Sequence, residues 1–180
     1  MAIGDLGQRL DQLLLGAAEN APNATCLIEQ GGQSVSYGDL SAQAEVVANA
    51  LGQSGIGSGD RVGICAPKSI QTVAAVFGIL RAGAAYVPVD PTAPAARSGG
   101  IFADCQVRAV LVVQELVGGI QAAMQDQLAV VEREPVIGLS CLTSTQDCIL
   151  GSADTAYILY TSGSTGKPKG SAKTIFAENI

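Results

Sequence analysis

Residues 160–170, YTSGSTGKPKG, hold the groups in this sequence best suited to binding an anion. Gly163 and Gly166 tolerate positive φ and close backbone approach, so successive N–H groups can turn toward one phosphate. Thr161, Ser162, Ser164 and Thr165 add hydroxyls that can donate to phosphate oxygens or ligate Mg2+. Lys167 and Lys169 supply positive charge without fixed geometry. Three of the four lysines fall within residues 167–173, so the lysine charge of an acidic chain gathers at one place.

The spacing is not that of the P-loop pattern GxxxxGK(S/T). Two residues separate Gly163 from Gly166 where that pattern has four, and Pro168 follows Lys167 where Ser or Thr belongs. Proline also disfavours helix for the residue before it, so Lys167 is expected to be extended. The alternative is a solvated Gly/Ser surface loop. The apolar run that precedes the loop and the rigid Pro168 between two lysines argue against it.

The elements around this loop must hold it in place. "TAYILYT" (155–161) reads as a strand, so the loop leaves a strand's C-terminal end, where ligands of open α/β sheets bind. Upstream, Leu6, Leu10, Leu13, Leu14 and Ala17 have the spacing of an amphipathic helix. "ATCLIEQGGQSVSYGDL" reads as strand, Gly31-Gly32 turn, strand, and a helix follows from about Asp39 with Leu40, Ala44, Val47 and Leu51 on one face. "RVGICAP" is a strand, and Ser69 is expected to cap a helix closed by Gly83. "AAYVPVDP" is a further strand. A helix over 94–104 carries Gly99 and Gly100, each costing about 1 kcal/mol against Ala. Residues 107–113 read as a strand, 114–125 as a helix, "LAVVE" as a strand, and 132–154 as loop. From about Arg61 strands alternate with helices, each crossover long enough for a parallel pair. The expected fold class is α/β, layered, with a mainly parallel sheet flanked by helices.

Composition narrows the functional classes. With 48% hydrophobic and 14% charged residues, the 180-residue chain is globular and large enough for one real core. A net charge of −6 and a pI near 4.5 set nucleic-acid binding aside. The absence of His removes the commonest metal ligand and general base. Five scattered cysteines without a CxxC pair favour buried thiols in a reducing cytoplasm over disulfides or zinc. The longest apolar run, 72–80, is far short of the roughly 20 residues that span a bilayer, and no basic cluster precedes the first leucines. The expectation is a soluble, cytoplasmic protein with no nucleic-acid or membrane partner.

"TAYILYTSGSTGKPKG" resembles the phosphate-binding signature of the AMP-forming adenylating enzymes. That superfamily joins the amino-acid adenylation domains of nonribosomal peptide synthetases, acyl-CoA synthetases and luciferases. "VSYGDL" (35–40) is similar to the family's SYxEL segment and "ILRAGAAYVPVDP" (79–91) to its KAGxAYVPxDP segment. One Gly/Ser loop is a weak match, and three segments in order are a strong one. "AAYVPVDP" favours the amino-acid adenylation domains within the family.

The resemblance implies conversion of a carboxylic acid and MgATP to an acyl-adenylate and pyrophosphate, then transfer of the acyl group to a thiol of a carrier protein or CoA. It implies phosphate contacts from Thr161, Ser162, Gly163, Ser164, Thr165, Gly166 and Lys169, with Lys167 adding charge. Thr161 or Thr165 is implied to help position Mg2+, Thr165 first. No residue is singled out as catalytic. Tyr37 and Asp39 read as hairpin and helix-cap residues, Asp90 as a cap, and Arg81, Arg97 and Arg108 as solvated surface charges. Residues 1–170 are expected to form part of the N-terminal lobe of an adenylating-enzyme large domain, and 171–180 a divergent tail such as a truncated or frame-shifted reading frame leaves. On that expectation the acyl pocket and a lid lysine lie elsewhere, and the isolated chain is inactive. Two other readings are an acyl-CoA synthetase-type ligase fragment and a non-catalytic phosphate-binding module.

Overall fold

Residues 9–125, 130–145, 148–161 and 169–174 are described in the computed structural model. Helix α1 (Leu10–Asn20) leads to a hairpin of β1 (Thr25–Ile28) and β2 (Ser34–Ser36), with Gly31 and Gly32 at φ 121° and 90°. Helix α2 (Tyr37–Gln53) begins two residues before the expected Asp39. Its cap is Ser36, whose hydroxyl accepts from the Asp39 N–H at 3.1 Å and donates to the Asp39 carboxylate at 2.7 Å. Asp39 therefore completes the cap from inside the first turn.

Strand β3 (Arg61–Cys65), helix α3 (Ile70–Arg81) and strand β4 (Ala85–Pro88) form a right-sized crossover unit, with Ser69 capping α3 through the Thr72 N–H at 3.1 Å. Helix α4 (Ala95–Asp104), strand β5 (Ala109–Val112), a 3-10 turn (Gln114–Leu116) and helix α5 (Val117–Met124) follow. The remaining strands are β6 (Val130–Val136), β7 (Leu139–Ser144), β8 (Thr155–Thr161) and β9 (Lys169–Thr174).

Among the described residues the main sheet has seven strands in the order β6-β7-β5-β3-β4-β8-β9. The layered α/β class holds, but the sheet is mixed. Its centre, β5-β3-β4-β8, is parallel, and β7, β6 and β9 join antiparallel at the two edges. The expected loop over 132–154 is also corrected, because much of it is the β6–β7 hairpin. Two buried polar residues hide the strand pattern of β7. Ser140 donates to Gln114 at 2.7 Å, and Thr143 accepts from Arg133 at 2.9 Å. Val136 pairs with Leu139 across a two-residue turn in which Ile137 and Gly138 sit at φ 48° and 83°.

Successive residues of the central strands serve opposite faces, as the period of two requires. Val62, Ile64, Ala109 and Leu111 pack with Val47 and Leu51 of α2 and Ile79 of α3. Cys65, Val110 and Val112 pack with Phe102 of α4 and Ile120 and Met124 of α5. Gly99, a weak helix former, is explained by this second layer. A Cβ there would come 2.6 Å from the Ala123 Cβ, so the glycine lets α4 approach α5. Two of the arginines read as solvated charges do more. Arg81 donates to Glu45 at 2.9 Å and to the Ser41 carbonyl at 3.1 Å, tying α3 to α2, and Arg108 lies 3.6 Å from the buried Asp60.

Candidate functional site

β8 carries the expected phosphate-binding segment at its C-terminal end. It lies parallel to β4, with Tyr157 opposite Tyr86 and their rings 5.3 Å apart. Its other neighbour, β9, returns antiparallel, with Tyr160 opposite Gly170 and Thr161 opposite Lys169. The first and last of the expected phosphate-binding residues, Thr161 and Lys169, are thus cross-strand neighbours. Ser162, Gly163, Ser164, Thr165, Gly166 and Lys167 lie outside the described residues.

Beside that strand end is a cavity of about 320 Å3, lined in part by Val89, Asp90, Arg97, Ser98, Ile101 and Tyr160. It opens where β4 and β8 end and α4 begins. Pro94 gives α4 no side-chain cap, so the helix's positive end faces this region. Arg97 is exposed at the cavity, in keeping with its reading as a solvated charge. Ser98 lines the cavity and is 1% exposed. Asp90 accepts from the Thr92 hydroxyl at 2.7 Å and the Thr92 N–H at 2.8 Å. Those bonds, helped by the charge of Arg97, hold its carboxyl below the usual range. Asp90 therefore closes a local turn at Thr92 and does not cap the next helix as the sequence reading expects, because the cap position of α4 falls four residues on, at Pro94, without a side-chain cap.

Tyr160 forms the opposite wall. Its hydroxyl donates to the Asp104 carboxylate and accepts from the Cys105 thiol at 3.5 Å. Burial, then these two contacts, push the phenol pKa up, so it stays a neutral donor. Sequence reasoning missed this link. The partners are 56 residues apart and no local signal joins them. All five cysteines are free thiols, three of them buried. Among the described residues no helix is long and apolar enough to cross a membrane.

Both the sequence and the fold have counterparts in known proteins. The family model for the AMP-binding enzyme matches residues 15–176. The chain belongs to the AMP-binding enzyme family. Tyrocidine synthase 3 of Brevibacillus parabrevis is 37% identical over 161 residues, covering 89% of this chain and 2% of that protein. ATP-bound MatB from Rhodopseudomonas palustris superposes with a TM-score of 0.74 at 26% identity, over 94% of this chain and 35% of that one. The anthranilate CoA ligase AuaEII, solved with anthranoyl-AMP, shares the fold with a TM-score of 0.72 at 22% identity, over 97% of this chain and 35% of that one. The chain therefore spans about a third of the length of these two solved structures and a small part of the synthase.

Proposed function

We propose that this AMP-binding family member serves the activation of a carboxylic acid, an amino acid first, with MgATP as an acyl-adenylate for transfer to a thiol. Residues 161–169 hold the ATP phosphates in this reading. The observation that carries it is the Thr161–Lys169 pair at the C-terminal end of a parallel strand. That pair brackets the hydroxyl- and glycine-rich residues 162–168 in the sequence, and it stands at the carboxyl end of a strand, where α/β folds bind ligands.

The donor set fits the group. Hydroxyl oxygens and lysine charge, with no thiol or imidazole among residues 161–169, suit phosphate with Mg2+. Mg2+, when bound, supplies charge neutralisation at the phosphates. Thr165 is the residue of this chain proposed to position it. Backbone N–H groups at Gly163 and Gly166, the hydroxyls of Thr161, Ser162 and Ser164, and the ammonium groups of Lys167 and Lys169 would hold the leaving pyrophosphate in line. The similarity to tyrocidine synthase 3 favours an amino acid and a carrier-protein thiol. The similarity to AuaEII supports a second reading, in which CoA is the acceptor.

The test is an NMR titration of the 180-residue chain with inorganic pyrophosphate, MgATP and adenosine. Charge-assisted hydrogen bonds of about 1.5–3 kcal/mol each support roughly millimolar phosphate binding once association costs are met. Lys169→Ala should weaken pyrophosphate binding and Lys173→Ala should matter little. Tight adenosine binding, or equal effects of the two substitutions, would overturn the assignment.

A further inference from the structure

Tyr160 is the residue before the Thr161–Lys169 pair, and its cross-strand partner is Gly170. Its ring lies against that glycine: a Cβ at position 170 would come 3.0 Å from Cε2 and 3.3 Å from the hydroxyl oxygen. The hydroxyl reaches Asp104, the last residue of α4, and accepts from the Cys105 thiol. Arg61, at the start of β3, donates to the Cys105 carbonyl at 2.7 Å and fixes that helix end to the sheet. A single side chain thus touches both strands that flank residues 162–168 and connects them to a helix anchored on the sheet centre.

The strand ends need such an anchor. β8 makes its one described ladder pair with β4 at Tyr157, whereas its ladder with β9 continues through Tyr160 and Thr161. A two-stranded ribbon twists and frays on its own. The phenol–carboxylate bond joins a half-buried ring to an exposed Asp104. Such a bond adds little to global stability.

We propose that Tyr160 is a positioning residue for phosphate binding: seated on Gly170 and tethered to Asp104, it holds the backbone of Thr161 and Lys169 in the arrangement the phosphates require. This rests on the reading of residues 161–169 given above.

The experiment compares Tyr160→Phe, Asp104→Asn and the double variant of the 180-residue chain, with Mg2+ and inorganic pyrophosphate as the probe. Tyr160→Phe keeps the ring on Gly170 and removes only the tether. Each single variant should raise the pyrophosphate Kd about five- to tenfold, and the double variant no further, because both break one link. Amide hydrogen exchange at residues 160–161 and 169–170 should speed up in all three, with the urea midpoint unchanged. Losses that add in the double variant would overturn the tether. If the unsubstituted chain binds pyrophosphate and Tyr160→Phe binds it equally well, this proposal fails alone. If the unsubstituted chain binds none, the phosphate reading and this proposal fail together.

Discussion

Across β3, β4 and β5, Val62, Val87, Val110, Leu111 and Val112 are completely buried, whereas in β8 Leu159 remains 44% exposed. Ala156 is the one fully buried side chain among those described in β8, and residues 170–173 of β9 are all exposed. The centre has a pair of helices on each face, and its side chains are held by packing on all sides. The β8–β9 edge is held by one strand ladder, a half-buried face and the Tyr160 tether. Stability and candidate chemistry are therefore carried by different parts of one sheet. Substitutions in the centre should unfold the protein, and those at the edge should change what it binds.

The largest expected effect is Phe102→Ala. The ring is fully buried and fills the space above Gly63, where a Cβ would come 2.5 Å from it. Urea unfolding should show a loss of about 3–5 kcal/mol. Gly78→Ala comes next, because its Cβ would meet the Val47 Cβ at 2.4 Å and the Ala44 carbonyl oxygen at 2.7 Å. Forcing α3 off α2 should cost about 1–3 kcal/mol in the same measurement. Ser69→Ala removes the α3 cap and should cost about 1 kcal/mol.

At the edge, Leu159→Thr should change the unfolding free energy by no more than about 0.5 kcal/mol. Lys169→Ala should be as mild in stability while weakening pyrophosphate binding. If either edge substitution cost as much as Phe102→Ala, the division between centre and edge would be wrong.

How far each region could be read from sequence follows the same division. α3 was legible because Ser69 and Gly83 mark its ends within the chain itself, and the β1–β2 hairpin because Gly31-Gly32 interrupts two apolar runs. β7 was not, since Ser140 and Thr143 are buried through partners at Gln114 and Arg133 that no local pattern reveals. β9, KGSAKT, contains little with strand propensity, and its conformation comes from its ladder with β8. The composition of residues 161–169 is the sequence basis on which an anion site is proposed there. The cavity beside it brings Asp90 and Arg97 together with Tyr160 through tertiary packing, and sequence patterns carry no such information.

The turn at Ile137 bears on the order of folding. A two-residue hairpin turn favours Asn or Gly at its first central position, and a β-branched residue there resists positive φ. Ile137 adopts it at φ 48° with its side chain packed against the clusters built by α2, α3 and β5. The β6–β7 hairpin thus has no local incentive to form early and must wait for the surface that receives Ile137. Leu139→Ala should accordingly speed unfolding and leave the folding rate nearly unchanged, a φ-value close to zero, so this edge is the last piece to dock on the way to the native state.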